Sequence, residues 1–571
     1  MASESPERGN CLARCGVVKS IQIKMRTVHG ILSLALAGLS FCPVAALAAG
    51  RSAWEAQREA LKNRPRPLVL NADGNEMVYY PTNAPVSVSG FVSQRLSTYA
   101  HTRVSTLSYC PWSSGFGLMS TMRAGEFFDR PIDLREGCTN AAPLFAAKGL
   151  DCLDMTAAFC RTNGMEIFVS IRVNDTHDNW YFRPGSNPKR SWLFPQWKAD
   201  NPDCLYGTDR QSPPHGSWTA VDFGNPKTRA YMRKFVGDFV NNYDVDGIEY
   251  DFLRHGQLFR TVGWGARATE AQLKLMTDFM LELRAITEAA GRKRGKPVLV
   301  MVRTPDSIDY AKGIGIDVKA WLHRGVMDLW SVSDYFQLDY LGPNAALAHR
   351  HGVKFYSALA ESRVPWEVAK FRGKGRDARI LPGRNTVASY AAEYAAAMAA
   401  GCDGVESFNL SCLWSDANRH EFLGIDPRRT EGLDRTYFAL VRGSGGYEPE
   451  EWLKDGGACY RRPRIDPGRI GPTREFSVPA DRDFTFAMEL GDESRSAATV
   501  SLIVGTDGRA VKAVKVNGRA LAFQSETDGT LVYRAAAGQL RRGRNEVSVV
   551  PDPAAGPRLL IRDFAISVKR K

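Results

Sequence analysis

Asp244-Val245-Asp246-Gly247-Ile248-Glu249-Tyr250-Asp251-Phe252-Leu253-Arg254 reads as a short buried strand that ends in charge. Side chains alternate across a strand, so Gly247, Glu249 and Asp251 share one face and Ile248 and Tyr250 the other. Two neighbouring carboxylates are expensive to bury without partners, so their face is where a proton, a cation or a polar ligand is handled. Seven more short apolar runs are spaced along the chain: 68–71, 104–109, 165–172, 298–303, 327–333, 354–360 and 404–409. Amphipathic segments separate them, which implies βα units and a parallel sheet. Eight such units predict a closed (β/α)8 barrel rather than an open doubly wound sheet.

The connecting helices carry their own signals. Asn225-Pro226 is a cap followed by proline at the first helical position, and Met232, Phe235, Val236, Phe239 and Val240 follow at helical spacing. Thr269 and Gln272 form a capping box, and the Ala-rich run 388–400 stops at Gly401. Residues 173–220 break the rhythm with a long loop that holds Trp180, Trp192, Trp197 and Trp218, which argues for a functional segment. Residues 441–470 are rich in Gly, Pro and Arg and read as a linker. From 471 to 571 short alternating runs, with a hairpin signal at Asn517-Gly518, predict a small antiparallel β-sandwich.

Residues 1–49 read as a leader. Lys24 and Arg26 precede the apolar run 30–42, and Ala46-Leu47-Ala48 suits signal cleavage; Met25 is an alternative start. The expectation is a secreted or periplasmic protein with a barrel over 50–440 and no membrane span once the leader is removed. The chain of 571 residues has a formal charge of +13. The leader holds five Lys/Arg and two Glu, which leaves about +10 and favours an acidic partner such as a uronic or sulfated polysaccharide. No nucleic-acid motif is present. Of the 11 cysteines, eight lie beyond the leader; they allow disulfides of undetermined pairing, and without a CxxC they indicate no metal or redox site. No cofactor is expected.

Barrels of this kind work at the C-terminal ends of their strands. Strand three ends in Arg172-Val173-Asn174-Asp175-Thr176-His177-Asp178, a polar cluster suited to sugar hydroxyls. Strand five ends in Arg303 and strand six in Ser333-Asp334-Tyr335. Strand seven ends in Glu361, and strand eight in Glu406-Ser407-Phe408-Asn409. Paired carboxylates are what glycoside hydrolysis requires. Glu249 is read as the acid/base, and Glu361, across the barrel, as nucleophile or base. Asp251 would raise the pKa of Glu249 by repulsion. Glu406 is the second choice for that opposing carboxylate and is otherwise counted with the substrate contacts: Asn174, Asp175, His177, Arg254, Arg303, Asp334, Tyr335, Asn409 and the aromatic rings of Trp112 and Trp414. The competing reading makes Glu249 and Asp251 part of a structural ion network with Arg172 and Arg303.

These residues also resemble a known family. The run DVDGIEYDFLRH (244–255) after NNY, IRVNDTHDN (171–179) and CDGVESFNL (402–410) are similar to the bacterial glycoside hydrolase-like barrels described as family-10-like, over roughly residues 65–440. The strand-four run also looks like the signature of family 18 chitinases, but Leu253 stands where that family places its proton donor, which argues against a substrate-assisted chitinase. Among clan A glycosidases the resemblance implies acids ending strands four and seven. Glu249 and Glu361 fit those strands, although the Asn that commonly precedes the first acid is absent. The sequence therefore predicts a glycoside hydrolase that cleaves a polysaccharide or oligosaccharide. The alternatives are a non-catalytic carbohydrate-binding protein on a degenerate barrel and another acid/base enzyme such as a lyase or metal-dependent isomerase.

Overall fold

A computed structural model describes residues 43–72, 77–111, 115–130, 136–181, 193–214, 216–253, 256–332, 339–359, 381–384, 386–408, 419–439, 476–491, 498–504 and 510–569. All eight apolar runs form strands: β1 (Leu68–Ala72), β2 (Thr106–Tyr109), β3 (Glu166–Arg172), β4 (Gly247–Asp251), β5 (Leu299–Thr304), β6 (Leu329–Val332), β7 (Lys354–Leu359) and β8 (Gly404–Phe408). Each pairs in parallel with the next, and β8 returns to β1, so the barrel closes. Every residue of β1 to β6 and of β8 is buried, because parallel strands are covered on both faces.

One face of each strand packs outward against the helices. Ile248 and Tyr250 join Val300, Val302 and Trp330 there, with Phe239 of the helix Pro226–Asn242 and Leu283 of the helix Glu270–Arg294. Both helices start as the sequence predicts: Asn225 caps the first, and Thr269 and Gln272 close a capping box on the second. The lumen has its own apolar floor of Val69, Phe168, Leu299, Met301, Leu329 and Tyr356. Gly247 belongs to this floor. A Cβ there would lie 2.8 Å from the Phe168 ring, so the ring itself demands glycine.

At the N-terminal end of β6, Asp328 ties the barrel to the helix Pro43–Lys62. Its carboxylate accepts hydrogen bonds from Arg58 at 2.6 and 2.9 Å, from Arg284 at 2.7 and 3.1 Å and from the Val300 backbone N–H at 2.8 Å. Burial pushes its pKa up, but the two guanidiniums outweigh that and hold it well below the usual carboxylate range. A depressed carboxylate stabilises the fold above its unfolded pKa of about 4, and that contribution is lost as pH falls through the lower folded value. Asp328→Asn is therefore expected to cost about 1–3 kcal/mol at pH 7. Urea unfolding should show the gap to wild type narrowing below about pH 4. A gap independent of pH would refute the ion cluster as its source.

Beyond the barrel, two antiparallel sheets form the expected sandwich. The first contains β9 (Arg435–Phe438), β10 (Phe476–Pro479), β12 (Ala498–Val504), β15 (Ala522–Thr527), β16 (Thr530–Ala535) and β18 (Arg558–Val568). The second contains β11 (Phe484–Leu490), β13 (Val511–Val516), β14 (Arg519–Ala520) and β17 (Gly543–Pro551). Asn517 (φ 51°) and Gly518 (φ 77°) make the tight turn from β13 to β14, both in the left-handed region that this dipeptide tolerates. The sheet takes β9 from the segment before residue 440, where it pairs with the C-terminal half of β18. The expected linker, 441–470, lies outside the described residues, as does the apolar run of the leader. Among the described residues no helix is long and apolar enough to cross a membrane. Cys110, Cys152, Cys160, Cys204 and Cys402 are buried, in keeping with small apolar side chains.

Candidate active site

Glu249 and Asp251 face the lumen, one layer apart, as their alternation in β4 requires. Glu249 sits just above the apolar floor in a cradle built by three other strands. Asn71 Nδ2, from β1, donates to both of its oxygens at 3.0 and 3.1 Å and also reaches Ser170 Oγ of β3 at 3.1 Å. Ser108 of β2 donates through its hydroxyl to Glu249 Oε2. None of these three polar residues was predicted to hold the acid. Their signal is positional: each is a polar residue that alternation places on the lumen face of its strand.

Arg303, expected among the substrate contacts or in a structural ion network, ends the lumen face of β5 as the counter-charge to the acids. It is fully buried and pairs with Asp251; its Nε lies 3.6 Å from Glu249 Oε1 and its Nη1 3.8 Å from Glu406 Oε1. The guanidinium also lies over the Phe408 ring of β8, 3.9 Å from its centre, so its unbonded face is covered by aromatic carbon. Asp251 accepts a second bond from the Leu253 backbone N–H at 2.9 Å. Glu249, Asp251, Glu406 and Arg303 thus form a buried group of three acids around one base.

Among the described residues of this group, three acids face one base, which favours the protonated form of the acids. Burial raises the Glu249 pKa well above the carboxylate range. Repulsion from Glu406 and then Asp251 adds to this, while Arg303 and the Ser108 hydroxyl oppose it. Burial raises Glu406 as well, against Arg303 and Ser331. Asp251 acts on Glu249 in the expected direction, but Glu406 acts more strongly. Like charges this close repel strongly in a low-dielectric lumen, so each of Glu249 and Glu406 makes the other harder to ionise.

The strand-three cluster divides into two kinds of residue. Asn174 spends its amide on the backbone: Nδ2 donates to Val221 O (3.1 Å) and Gln257 O (2.7 Å), and Oδ1 accepts from Val221 N (2.9 Å). It clamps the loops after β3 and β4 together rather than presenting donors to a ligand. Asp175 is buried and lies 3.7 Å from Arg172 Nη1. Its oxygens sit 3.0 and 2.9 Å from Nδ1 of His177, whose side chain is 36% exposed. Asp178 pairs with Lys198 at 2.6 Å, both fully buried, and accepts from Thr219 at 2.8 Å. Trp197 stacks on Tyr231 at 4.5 Å, so this part of the long loop is packed. Arg254, Asp334, Tyr335, Glu361, Asn409, Trp112 and Trp414 lie outside the described residues, so the opposing carboxylate predicted on strand seven has no described position. No cluster of three or more metal-ligating side chains occurs among the described residues.

No family model matches the chain, and no curated protein matches its sequence. Solved structures with a similar fold include the glycoside hydrolase domain of PgaB (BpsB) from Bordetella bronchiseptica (11% identity, 64% of this chain and 99% of that one, TM-score 0.36). A family GH18 chitinase from Chromobacterium violaceum matches at 10% identity over 89% of both chains, with TM-score 0.35. A cycloisomaltooligosaccharide glucanotransferase from Paenibacillus sp. matches at 11% identity over 87% of this chain, with TM-score 0.32; the match spans 57% of that enzyme. At such identities and scores the likeness carries no argument about the site, and the barrel rests on its own strand order.

Proposed function

We propose that the chain is a glycoside hydrolase of the family-10-like kind, acting outside the cytoplasm on a polysaccharide or oligosaccharide, with Glu249 as the proton donor. One observation carries this reading: the Glu249 carboxyl faces the barrel lumen beside Asp251 and Arg303, and burial and Glu406 push its pKa well above the usual carboxylate range. A general acid needs a pKa close to the working pH. Its proton passes to the glycosidic oxygen as the anomeric C–O bond breaks. Arg303 balances the charge of the resulting carboxylate. Glu361 remains the candidate for the group on the opposite face of the sugar, and the basic surface suits an acidic glycan.

The test is release of reducing ends from a panel of neutral and acidic polysaccharides. Glu249→Gln keeps the shape of the group and most of its contacts, so the fold should survive. Its turnover is expected to fall on the order of 10²- to 10⁴-fold. Undiminished turnover in this variant would discard Glu249 as the acid.

A second reading rests on exposure. Glu249, Glu406, Arg303 and Asp251 are each at most 1% exposed, which also suits a non-catalytic barrel whose ion network only supports a glycan-binding mouth. Glycan binding by wild type without release of any reducing ends would favour it.

A further inference from the structure

The sandwich carries the run Arg541-Arg542-Gly543-Arg544, three guanidiniums in four positions. All three arginines are exposed, as is Arg519 of β14. Among the described residues none of the four pairs with a carboxylate. Glu489 stands opposite Arg544 in register, but its oxygens accept from the Leu341 and Gly342 N–H groups.

A surface loop of arginines is ordinarily free to move, and this one is braced from inside. Asn545 is fully buried; its Oδ1 accepts from the Arg541 N–H at 2.9 Å, and its Nδ2 donates to the Arg541 and Gly543 carbonyls at 2.7 and 2.9 Å. Asn517 Nδ2, in the turn from β13 to β14, donates to Asn545 Oδ1 and to Gln539 O, both at 2.9 Å. Gln539 Nε2 reaches Ala520 O at 3.2 Å, which fastens the loop to the strand that carries Arg519. Arg541 Nε closes the loop on Arg544 O at 2.9 Å. A loop already fixed in shape loses little entropy when it takes a ligand.

The loop also adjoins the barrel. Arg544 lies over the Tyr340 ring, 4.0 Å from its centre. Tyr340 precedes the helix Leu341–Arg350, which follows the C-terminal end of β6, and the neighbouring Asp339 N–H donates to Asp306 Oδ2 at 2.9 Å, just past β5. The arginines therefore stand beside the rim over strands five and six, at the end where barrels of this kind hold their ligands.

We propose that Arg519, Arg541, Arg542 and Arg544 form an anion-binding site for an acidic polysaccharide, whose chain passes from the barrel mouth across Tyr340 onto the sandwich. This rests on the reading of the barrel as a glycan-acting domain and gives the sandwich a part in it. Guanidinium groups match the oxygens of a sulfate or carboxylate with paired N–H donors. A cluster of one sign beside the mouth also draws a polyanion towards it over a longer range.

The test is binding of the full chain to dextran sulfate, to polygalacturonate and to uncharged dextran, by calorimetry at several salt concentrations. Wild type should bind at least one polyanion on the order of tenfold more tightly than dextran, and the tighter of the two names the anion. Arg519→Gln with Arg542→Gln changes two exposed side chains, so the melting curve should stay in place. Its affinity should fall on the order of tenfold, and its salt slope by about two. Lys293→Gln with Arg350→Gln removes the same charge at the opposite end of the barrel and should stay within about twofold of wild type. Polyanions bound no better than dextran, an equal fall in both double variants, or double-stranded DNA bound more tightly than either polyanion at equal salt would each overturn the proposal. Hydrolysis of a neutral glycan by a chain that binds neither polyanion would overturn it and keep the glycosidase reading. Polyanion binding that depends on Arg519 and Arg542, without release of reducing ends from any glycan, would support the site and discard hydrolysis.

Discussion

Arg303→Met is expected to lower the unfolding free energy by about 3–5 kcal/mol at pH 8, and by less at pH 5. The first figure follows from removing the cation that pairs with Asp251 and faces Glu249 and Glu406, since an uncompensated buried charge is far costlier than a missing contact. Methionine fills much of the same volume and still packs on Phe408, so the loss is electrostatic rather than a cavity. The pH dependence has a definite sign. Glu249 and Glu406 already hold protons more tightly in the folded state than in the unfolded one. Acids with raised folded pKa values stabilise the fold fully below their unfolded values, and that stability is lost as pH rises through the folded ones. Without Arg303 the folded values move higher still, so the variant should lose stability more steeply than wild type between pH 5 and 8. Arg303→Lys separates charge from geometry. Lysine keeps the charge but not the planar fork that faces Asp251, Glu249 and Glu406 together, so it should fall between the two. Urea titrations at both pH values measure this; an Arg303→Met variant as stable as wild type at pH 8 would mean that the acids are not held by Arg303.

The barrel was legible because its strands are covered on both faces and so read as short, mainly apolar runs at regular spacing. The pairing of Glu249 with Asp251 on the lumen face was legible from alternation alone. The cradle was not: Asn71, Ser108 and Ser170 lie on three strands, and only closure of the barrel brings them to Glu249. The contact between Glu249 and Glu406 has the same origin, since β4 and β8 stand on opposite sides of the ring. The polar cluster after strand three misled in part for a different reason. Asn174 clamping two loops and Asp175 orienting a histidine look alike in sequence, because both are polar residues just past an apolar strand. In the sandwich, β15 escaped notice because all six of its residues are exposed and show no apolar alternation. The strand β9 is only four residues long and precedes the glycine- and proline-rich stretch, so nothing in its pattern assigned it to the later sheet.

That strand bears on how the sandwich is attached, and Asp563→Ala is expected to destabilise the barrel and sandwich together, by about 3–5 kcal/mol. Asp563, in β18, pairs with Arg384 at 3.0 Å, and both side chains are 1% exposed. Asp563 also accepts from the Leu381 N–H at 2.8 Å, while Arg384 lies over the Phe438 ring of β9, 4.1 Å from its centre. The segment just before the helix Val387–Ala399 is thus fastened to the sandwich at a dry ion pair. The helix divides its faces in the same way: Tyr390, Tyr394 and Ala397 belong to the barrel core, whereas Ala392 and Ala396 pack into the sandwich core. Alanine at those two positions lets the sheet approach the helix closely. A second tie lies at the helix Leu341–Arg350, where Glu489 of β11 accepts from the Leu341 and Gly342 N–H groups at 3.4 and 3.5 Å, a carboxylate at a helix N-terminus. One helix shared by two cores predicts one cooperative transition rather than two. Calorimetry of wild type should give a single peak, and the Asp563→Ala peak should move down without splitting. Removing both charges, in Arg384→Met with Asp563→Leu, should recover much of the loss, because the penalty belongs to the stranded guanidinium and not to the missing pair. A barrel transition unmoved in Asp563→Ala would make the sandwich an independent appendage, and the shared helix would then be a contact without energetic weight.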